Sequence, residues 1–363
     1  MRHLQHISNP QARINELEYR VGIMRADEVR ELLIDSLSDP YPPLRHTAAL
    51  HLSEHLDAKT IQWLSGALDD AAGPIEVARA ACVALKGARG SQTAQRALLN
   101  ALKLPDADAR YLALETLFDL RPQLDVIEQA ARLGIEDADE EVAMIAAQII
   151  ATHKLTSLEP LLIKRRARSS SQRLHFTLAL AELLTPETAR AQTALIEDMT
   201  QELFRALRYE ETSVAGAVAL GQFGKAVGDK QAIVQALQRQ LQRWLIHPHF
   251  RIEAAVALLE LDHPDGHAYI AQQLTSRKKD VRGYAIEVAG RYRIDALFED
   301  ILKIAQHKEF ASETAILALH AYDTPAAAGA LERIAQEHPD EECRALAKQL
   351  TMGTDGHITE HTP

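Results

Sequence analysis

Asp280-Val281-Arg282-Gly283-Tyr284-Ala285-Ile286-Glu287-Val288-Ala289-Gly290 sets the pattern for this chain. It reads as the second helix of a two-helix repeat, and looser copies recur along the sequence. Each copy opens on an apolar residue, often followed by Arg. Two variable positions, two small residues, another variable position and a small-Leu pair complete it. The copies are Leu44-Arg45…Ala48-Ala49…Leu52, Val77…Ala81-Cys82…Ala84-Leu85, Ala109-Arg110…Ala113-Leu114…Leu117, Val142…Ala146-Ala147…Ile150 and Phe250-Arg251…Ala254-Ala255…Ala257-Leu258. Adjacent hairpins stack closely only where backbones approach without bulky side chains between them. Alanine allows that approach without the helix penalty of glycine.

Turns precede the copies near Asp39-Pro40, Asp70, Asp106, Asp137, Ser169, Glu210, His247-Pro248, Lys279-Asp280, Glu309 and Pro339. Most spacings are about 30 to 37 residues, the period of a helical-hairpin repeat. The longer step from Ser169 to Glu210 is read as a first helix over Glu187–Leu207 with about two extra turns. Residues 1–25 are expected to hold a capping helix, 26–350 the repeats and 351–363 a polar, disordered tail. No linker divides the repeats. The turn at Arg168–Ser171 and the long helix are the places where a bend is expected.

The pattern resembles HEAT repeats over residues 26–350, particularly the short bacterial-type HEAT-like repeats first associated with phycobilin lyases. With the period, the resemblance implies an all-α fold: a right-handed α-solenoid, or superhelix, of about ten hairpins. It also implies that second helices line the concave side. Such repeats carry many activities, so the resemblance speaks for fold rather than function.

Composition agrees with a helical interior. Hydrophobic residues make up 47% of the 363, aromatic ones only 5%. That is too apolar for disorder and too long for one ordinary core. The formal net charge of −11 disfavours non-specific attraction to nucleic acid or anionic lipid. Cys82 and Cys343 lie far apart and suit a reducing compartment. With no signal-like or membrane-length apolar run, a cytoplasmic location is expected.

Helical geometry turns the third, fourth, seventh and eleventh positions of each second helix away from the buried stripe. The seventh positions read Leu50, Val83, Glu115, Gln148, Leu178, Val218, Val256, Glu287 and Leu317. The eleventh read Glu54, Gly87, Asp119, Thr152, Glu182, Gln222, Glu260, Arg291 and Ala321. The functional reading is a non-catalytic scaffold or adaptor holding a protein segment with apolar and basic side chains. Its candidate contact residues are Leu50, Glu54, Tyr111, Glu115, Asp119, Glu182, Val256, Glu260, Tyr284 and Glu287. The competing reading makes the apolar members packing residues and the acidic row a solvated face.

Two clusters have bland and sharp readings. Lys164, Arg165, Arg166, Arg168 and Arg173 end a first helix, where cations suit the helix dipole; the sharp alternative is a contact to phosphate or an acidic partner. Arg277, Lys278, Lys279 and Arg282 form a weaker cluster at another turn. His51 and His55 share a helix face, but no motif supplies a third metal ligand. No cofactor is expected. The repeated His-Glu dipeptides of HEAT-like iron hydroxylases are missing, as are a phosphate loop and a nucleophile elbow. Catalysis is therefore not expected. The alternative class is nucleic-acid repair or chromophore attachment. Against the first, Trp63 and Trp244 fall in first helices, and Glu115, Asp119 and Glu287 neighbour Tyr111 and Tyr284 and would repel phosphate.

Overall fold

A computed structural model describes residues 4–70, 73–243 and 245–352. Trp244 and the tail from residue 353 lie outside the described residues. Within those residues the structure is helical, with no strand. Its contacts gather into two compact units that part between Leu183 and Leu184.

The first unit begins with α1 (Pro10–Ile23), which packs on α3. Five hairpins follow: α2 (Ala26–Ser36) with α3 (Pro42–Glu54), α4 (Ala58–Asp69) with α5 (Ile75–Ala84), α6 (Gln92–Ala101) with α7 (Ala107–Asp119), α8 (Leu124–Ile135) with α9 (Glu140–Thr152), and α10 (Glu159–Arg168) with α11 (Arg173–Leu183). Short polar side chains start several of these helices. Asn9, Asp57, Ser91, Asp106 and Asp139 each accept hydrogen bonds from first-turn amides that have no partner within the helix. Pro10 and Pro42 stand at first positions, where a missing N–H is harmless.

The second unit opens on the short α12 (Pro186–Ala191) and again holds five hairpins: α13 (Thr193–Ala206) with α14 (Glu210–Ala226), α15 (Gln231–Leu241) with α16 (Pro248–Glu260), α17 (Pro264–Gln273) with α18 (Lys279–Arg291), α19 (Phe298–Gln306) with α20 (Ser312–Tyr322), and α21 (Pro325–Glu337) with α22 (Glu341–Met352). The long helix expected over Glu187–Leu207 is instead two helices. Gln192, at φ −125° and ψ 57°, leaves the helical region and breaks it.

The small residues of the repeat are where the helices meet. Ala48, Ala49, Ala81, Cys82, Ala113, Ala146, Ala254 and Ala255 are wholly buried. Two glycines mark close approaches between second helices. A β-carbon at Gly87 would lie 1.8 Å from the Ser53 carbonyl oxygen, and one at Gly290 would lie 2.7 Å from the Ala318 Cα.

Polar fasteners join successive repeats at a constant separation. Arg79 Nε donates to Asp106 Oδ1 at 2.8 Å, and Arg110 Nε donates to Asp137 Oδ2 at 2.7 Å. In the second unit Arg282 donates to both carboxylate oxygens of Glu309, at 3.0 and 2.9 Å. Each acceptor stands 27 residues after its arginine. The Asp106 carboxylate also accepts the Ala109 amide at 2.8 Å, so one side chain caps its own helix and holds the preceding repeat. The Arg79 guanidinium and the Ala109 amide keep the Asp106 carboxyl below the usual carboxylate range. Burial pushes the Asp137 carboxyl up, but hydrogen bonds from Arg110 and the Asp139 amide outweigh it and leave the group lowered.

Two stability predictions follow from this packing. Gly87→Ala forces its methyl into a backbone carbonyl and should destabilise by about 1–3 kcal/mol, read as a lower urea midpoint. Asp137→Asn should cost about 1.5–3 kcal/mol at neutral pH, because Arg110 loses a charged partner. A folded pKa below the unfolded one gives stability that is present above the unfolded value, about 3.9, and is lost as pH falls through the folded value. The gap between wild type and Asp137→Asn should therefore narrow in acid titrations carried below about pH 4.

Candidate functional site

The clearest candidate lies in the first unit, on the outward faces of α7, α9 and α11. Tyr111, Glu115 and Asp119 are spaced four apart on α7 and so share one face. Gln148 and Thr152 do the same on α9, and His175, Leu178 and Glu182 on α11. Between these faces runs an open groove of about 700 Å³. Half-buried Met144, Ile145 and Leu178 give it an apolar floor. Glu115, Asp119, Glu141 and Glu182 supply carboxylates around it.

Two lysines moderate that charge. Lys86 Nζ donates to Glu115 at 2.9 Å and pairs with Asp119 at 3.1 Å. Burial alone would lower the Lys86 pKa, but hydrogen bonds to the two carboxylates outweigh it and raise the value. Lys154 Nζ donates to the Glu182 carbonyl oxygen at 3.0 Å, with the carboxylate 3.9 Å away. Glu141 has no ion-pair partner among the described residues. Four carboxylates against two lysines leave the groove acidic.

Four of the ten candidate contact residues, Tyr111, Glu115, Asp119 and Glu182, are brought together here. Leu50 and Glu54 are exposed on α3 of the same unit, apart from the groove. The other four lie in the second unit and are largely engaged within it. Val256 is a correction: expected on the surface, it is only 7% exposed and belongs to the core around Ile252, Ala255 and Leu259. Glu260 pairs with Lys225 and accepts from the Tyr292 hydroxyl at 2.7 Å. Tyr284 donates to Glu253, while Glu287 is exposed and paired with Arg291. Burial, aided by Glu253, pushes the Tyr284 hydroxyl pKa up.

The basic cluster at the end of α10 has an internal use. Arg165 donates to the carbonyls of Asp137 and Asp139 at 2.6 and 3.3 Å and lies 5.7 Å from the Phe176 ring centre. Arg166 is buried and donates to the Thr177 hydroxyl at 2.5 Å. Met144, Ile145 and His175 line the groove without having been singled out. They occupy third and fourth repeat positions, so extending the surface rule beyond the seventh and eleventh rows finds them.

Other chemistry finds little footing. Among the described residues no group of three or more His, Cys, Asp or Glu is placed to hold a metal ion, and no helix is long and apolar enough to cross a membrane. Both cysteines are free and buried. Burial pushes the Cys82 thiol up to about 12, far from a reactive thiolate.

Residues 268–350 match a family model described as HEAT repeats. No curated protein matches the chain. Among solved structures, a chain from a homology model of the full-length AP-3 complex in an intermediate open conformation is 12% identical at a TM-score of 0.51, with 94% of this chain and 71% of that chain covered. Kap95p, from a structure with RanGDP, is 14% identical at a TM-score of 0.44, covering 98% and 54%. Human deoxyhypusine hydroxylase in complex with glycerol is 17% identical at a TM-score of 0.28, covering 87% and 92%. The chain spans about half the length of Kap95p and of Kap121p, 54% and 48%. Of these likenesses the AP-3 one, at 0.51, speaks to fold, and to fold alone. The fold is one of stacked α-helical hairpins, as in α-solenoids, five in each unit, and the HEAT-repeat match falls on the last hairpins of the second unit.

The buried thiol gives a direct check on this packing. Cys82 should resist iodoacetamide at about pH 8 in the folded chain and react at the rate of a free thiol once urea unfolds it. Mass spectrometry of the peptide over time measures the difference.

Proposed function

We propose that this HEAT-repeat chain is a non-catalytic scaffold that holds a segment of a partner protein against its second helices. The groove on α7, α9 and α11 is the principal seat. One observation carries the reading: an open trough with an apolar floor of Met144, Ile145 and Leu178 beside carboxylates in excess of lysines. Apolar floors reward buried side chains with about 25 cal/mol per Å², and an acidic rim favours basic ones. Tyr111 adds a half-buried aromatic wall, the kind of side chain enriched at interfaces. Leu50 and Glu54 on α3 are further contact candidates in this unit.

The matching surface row of the second unit offers exposed Val218 and Leu317, 40% and 50% accessible, as secondary contacts. Its Tyr284, Glu287 and Glu260 are proposed as contacts only through their remaining exposed edges, since each already has a partner in the unit. Nucleic acid is a poor fit for the groove, because its carboxylates would repel phosphates. A cytoplasmic setting belongs to the same reading and agrees with two free thiols.

A photo-reactive residue placed at Gln148, on the groove, should cross-link a partner protein in cells producing this chain. The same residue at exposed Arg96 on α6 should not. Leu178→Asp should cut the yield by about tenfold or more by putting a charge on the apolar floor. Cross-links from Arg96 alone would sink the proposal.

A further inference from the structure

A second cavity adjoins the groove and carries the opposite charge. It encloses about 730 Å³ and shares Phe118, Asp119 and Thr152 with the first. Its free cations are Arg89 and Arg121, both exposed and neither with a carboxylate partner among the described residues. Asp119 is the one carboxylate among its lining residues, and Lys86 already neutralises it. Leu124, 57% exposed, together with Ile127, gives this lobe an apolar wall. Across it stands His153, its ring edge-on to Phe118 at 5.5 Å and 85°. The His153 Nε2 atom is buried and has no hydrogen-bond partner, and burial lowers the imidazole pKa.

We propose that the two lobes together recognise one segment of opposed charge: apolar and basic side chains over Met144, Ile145 and Leu178, and an acidic side chain beside Arg89 and Arg121. This rests on the scaffold reading and adds the partner's charge order to it. Saddle residues Phe118 and Thr152, common to both cavities, give the segment a continuous path from one to the other. Position explains part of the basic lobe without a ligand. Arg89 and Arg121 follow the ends of second-helix segments, where cations gain about 0.3–1 kcal/mol from the helix dipole. The left-handed backbone of Arg121, φ 47°, recurs at Lys154, Asp262, Arg293 and Asp323 and is a feature of the repeat. Neither accounts for an open cavity, an exposed leucine beside two unpaired arginines, and a buried nitrogen left without a partner.

The test uses the full chain and three sets of short peptides whose apolar positions vary among Leu, Met and Phe. One set carries lysines in one half and glutamates in the other, in both orders. A second carries only lysines and a third only glutamates. Fluorescence anisotropy should find the bipolar set about fivefold tighter than either uniform set, since each uniform set places a like charge against one lobe, at about 1 kcal/mol even in water. Arg89→Glu with Arg121→Glu should transfer the preference to the all-lysine set, and the paired Gln substitutions should abolish the preference without reversing it. Circular dichroism confirms that each variant is folded. Equal binding of the bipolar and all-lysine sets, or a preference unmoved by the charge reversal, overturns the charge order. If cross-links still form at position 148, the scaffold reading survives that result. Binding by no peptide set together with no cross-link at position 148 overturns both.

Discussion

Carboxylates at the turns hold these repeats in place. An Asp or Glu entering a second helix receives the arginine of the preceding repeat, as in Arg79–Asp106, Arg110–Asp137 and Arg282–Glu309. Burial of alanine against alanine supplies attraction but little direction, because small apolar faces tolerate sliding. A forked guanidinium on a planar carboxylate tolerates far less. The pairs are partly buried, with Arg110 and Asp137 side chains 13% and 9% accessible, so solvent screens them less than a surface pair. Asp106 adds a second constraint by capping α7 with the same carboxylate. The chemistry that starts a helix thus also fixes its neighbour's register.

With attraction and register assigned to the buried stripe and the turns, many outward positions of the second helices have no packing task, though Val83 and Val256 are drawn into the core. Their side chains vary from one repeat to the next: Leu50, Glu115, Gln148, Leu178, Leu317. A groove forms in the first unit where three such faces carry medium-sized apolar residues flanked by carboxylates. In the second unit the corresponding faces turn to each other. Tyr284 reaches Glu253, Tyr292 reaches Glu260, and Lys225 reaches Glu260 as well. The first unit is laced as well, Lys86 to Glu115 and Asp119 and Lys154 to Glu182, but there an apolar floor of Met144, Ile145 and Leu178 stays open between the pairs.

The fold was legible because its signal is repeated. Ten turns at a near-constant period and small residues at matching places after most of them leave few alternatives to stacked hairpins. Surface use was less legible, because exposure depends on the neighbouring repeat. Val256 occupies a seventh position like Leu50, yet it is buried while Leu50 is 46% exposed. Helical geometry gives a direction for each side chain but not the size of what stands opposite. The arginine ladder was missed for a different cause. Its two halves are 27 residues apart, and each half alone reads as an ordinary surface charge or helix cap. A fixed offset between Arg and an acidic residue, recurring in several repeats, was the signal available.

The same offset logic separates the two kinds of charge on this molecule. Arg165 and Arg166 look like a binding patch in sequence, yet they are spent on the carbonyls of Asp137 and Asp139 and on the Thr177 hydroxyl. Density of like charge is thus a poor guide to recognition when a turn one repeat away can absorb it. Charge that remains unpaired beside apolar surface is more telling, since desolvating it without a partner would be costly and leaving it open to water keeps it usable. By that measure Glu141 on one lobe and Arg89 and Arg121 on the other outrank the dense cluster at the end of α10. A solenoid can therefore carry specificity on a handful of side chains its own ladder leaves alone.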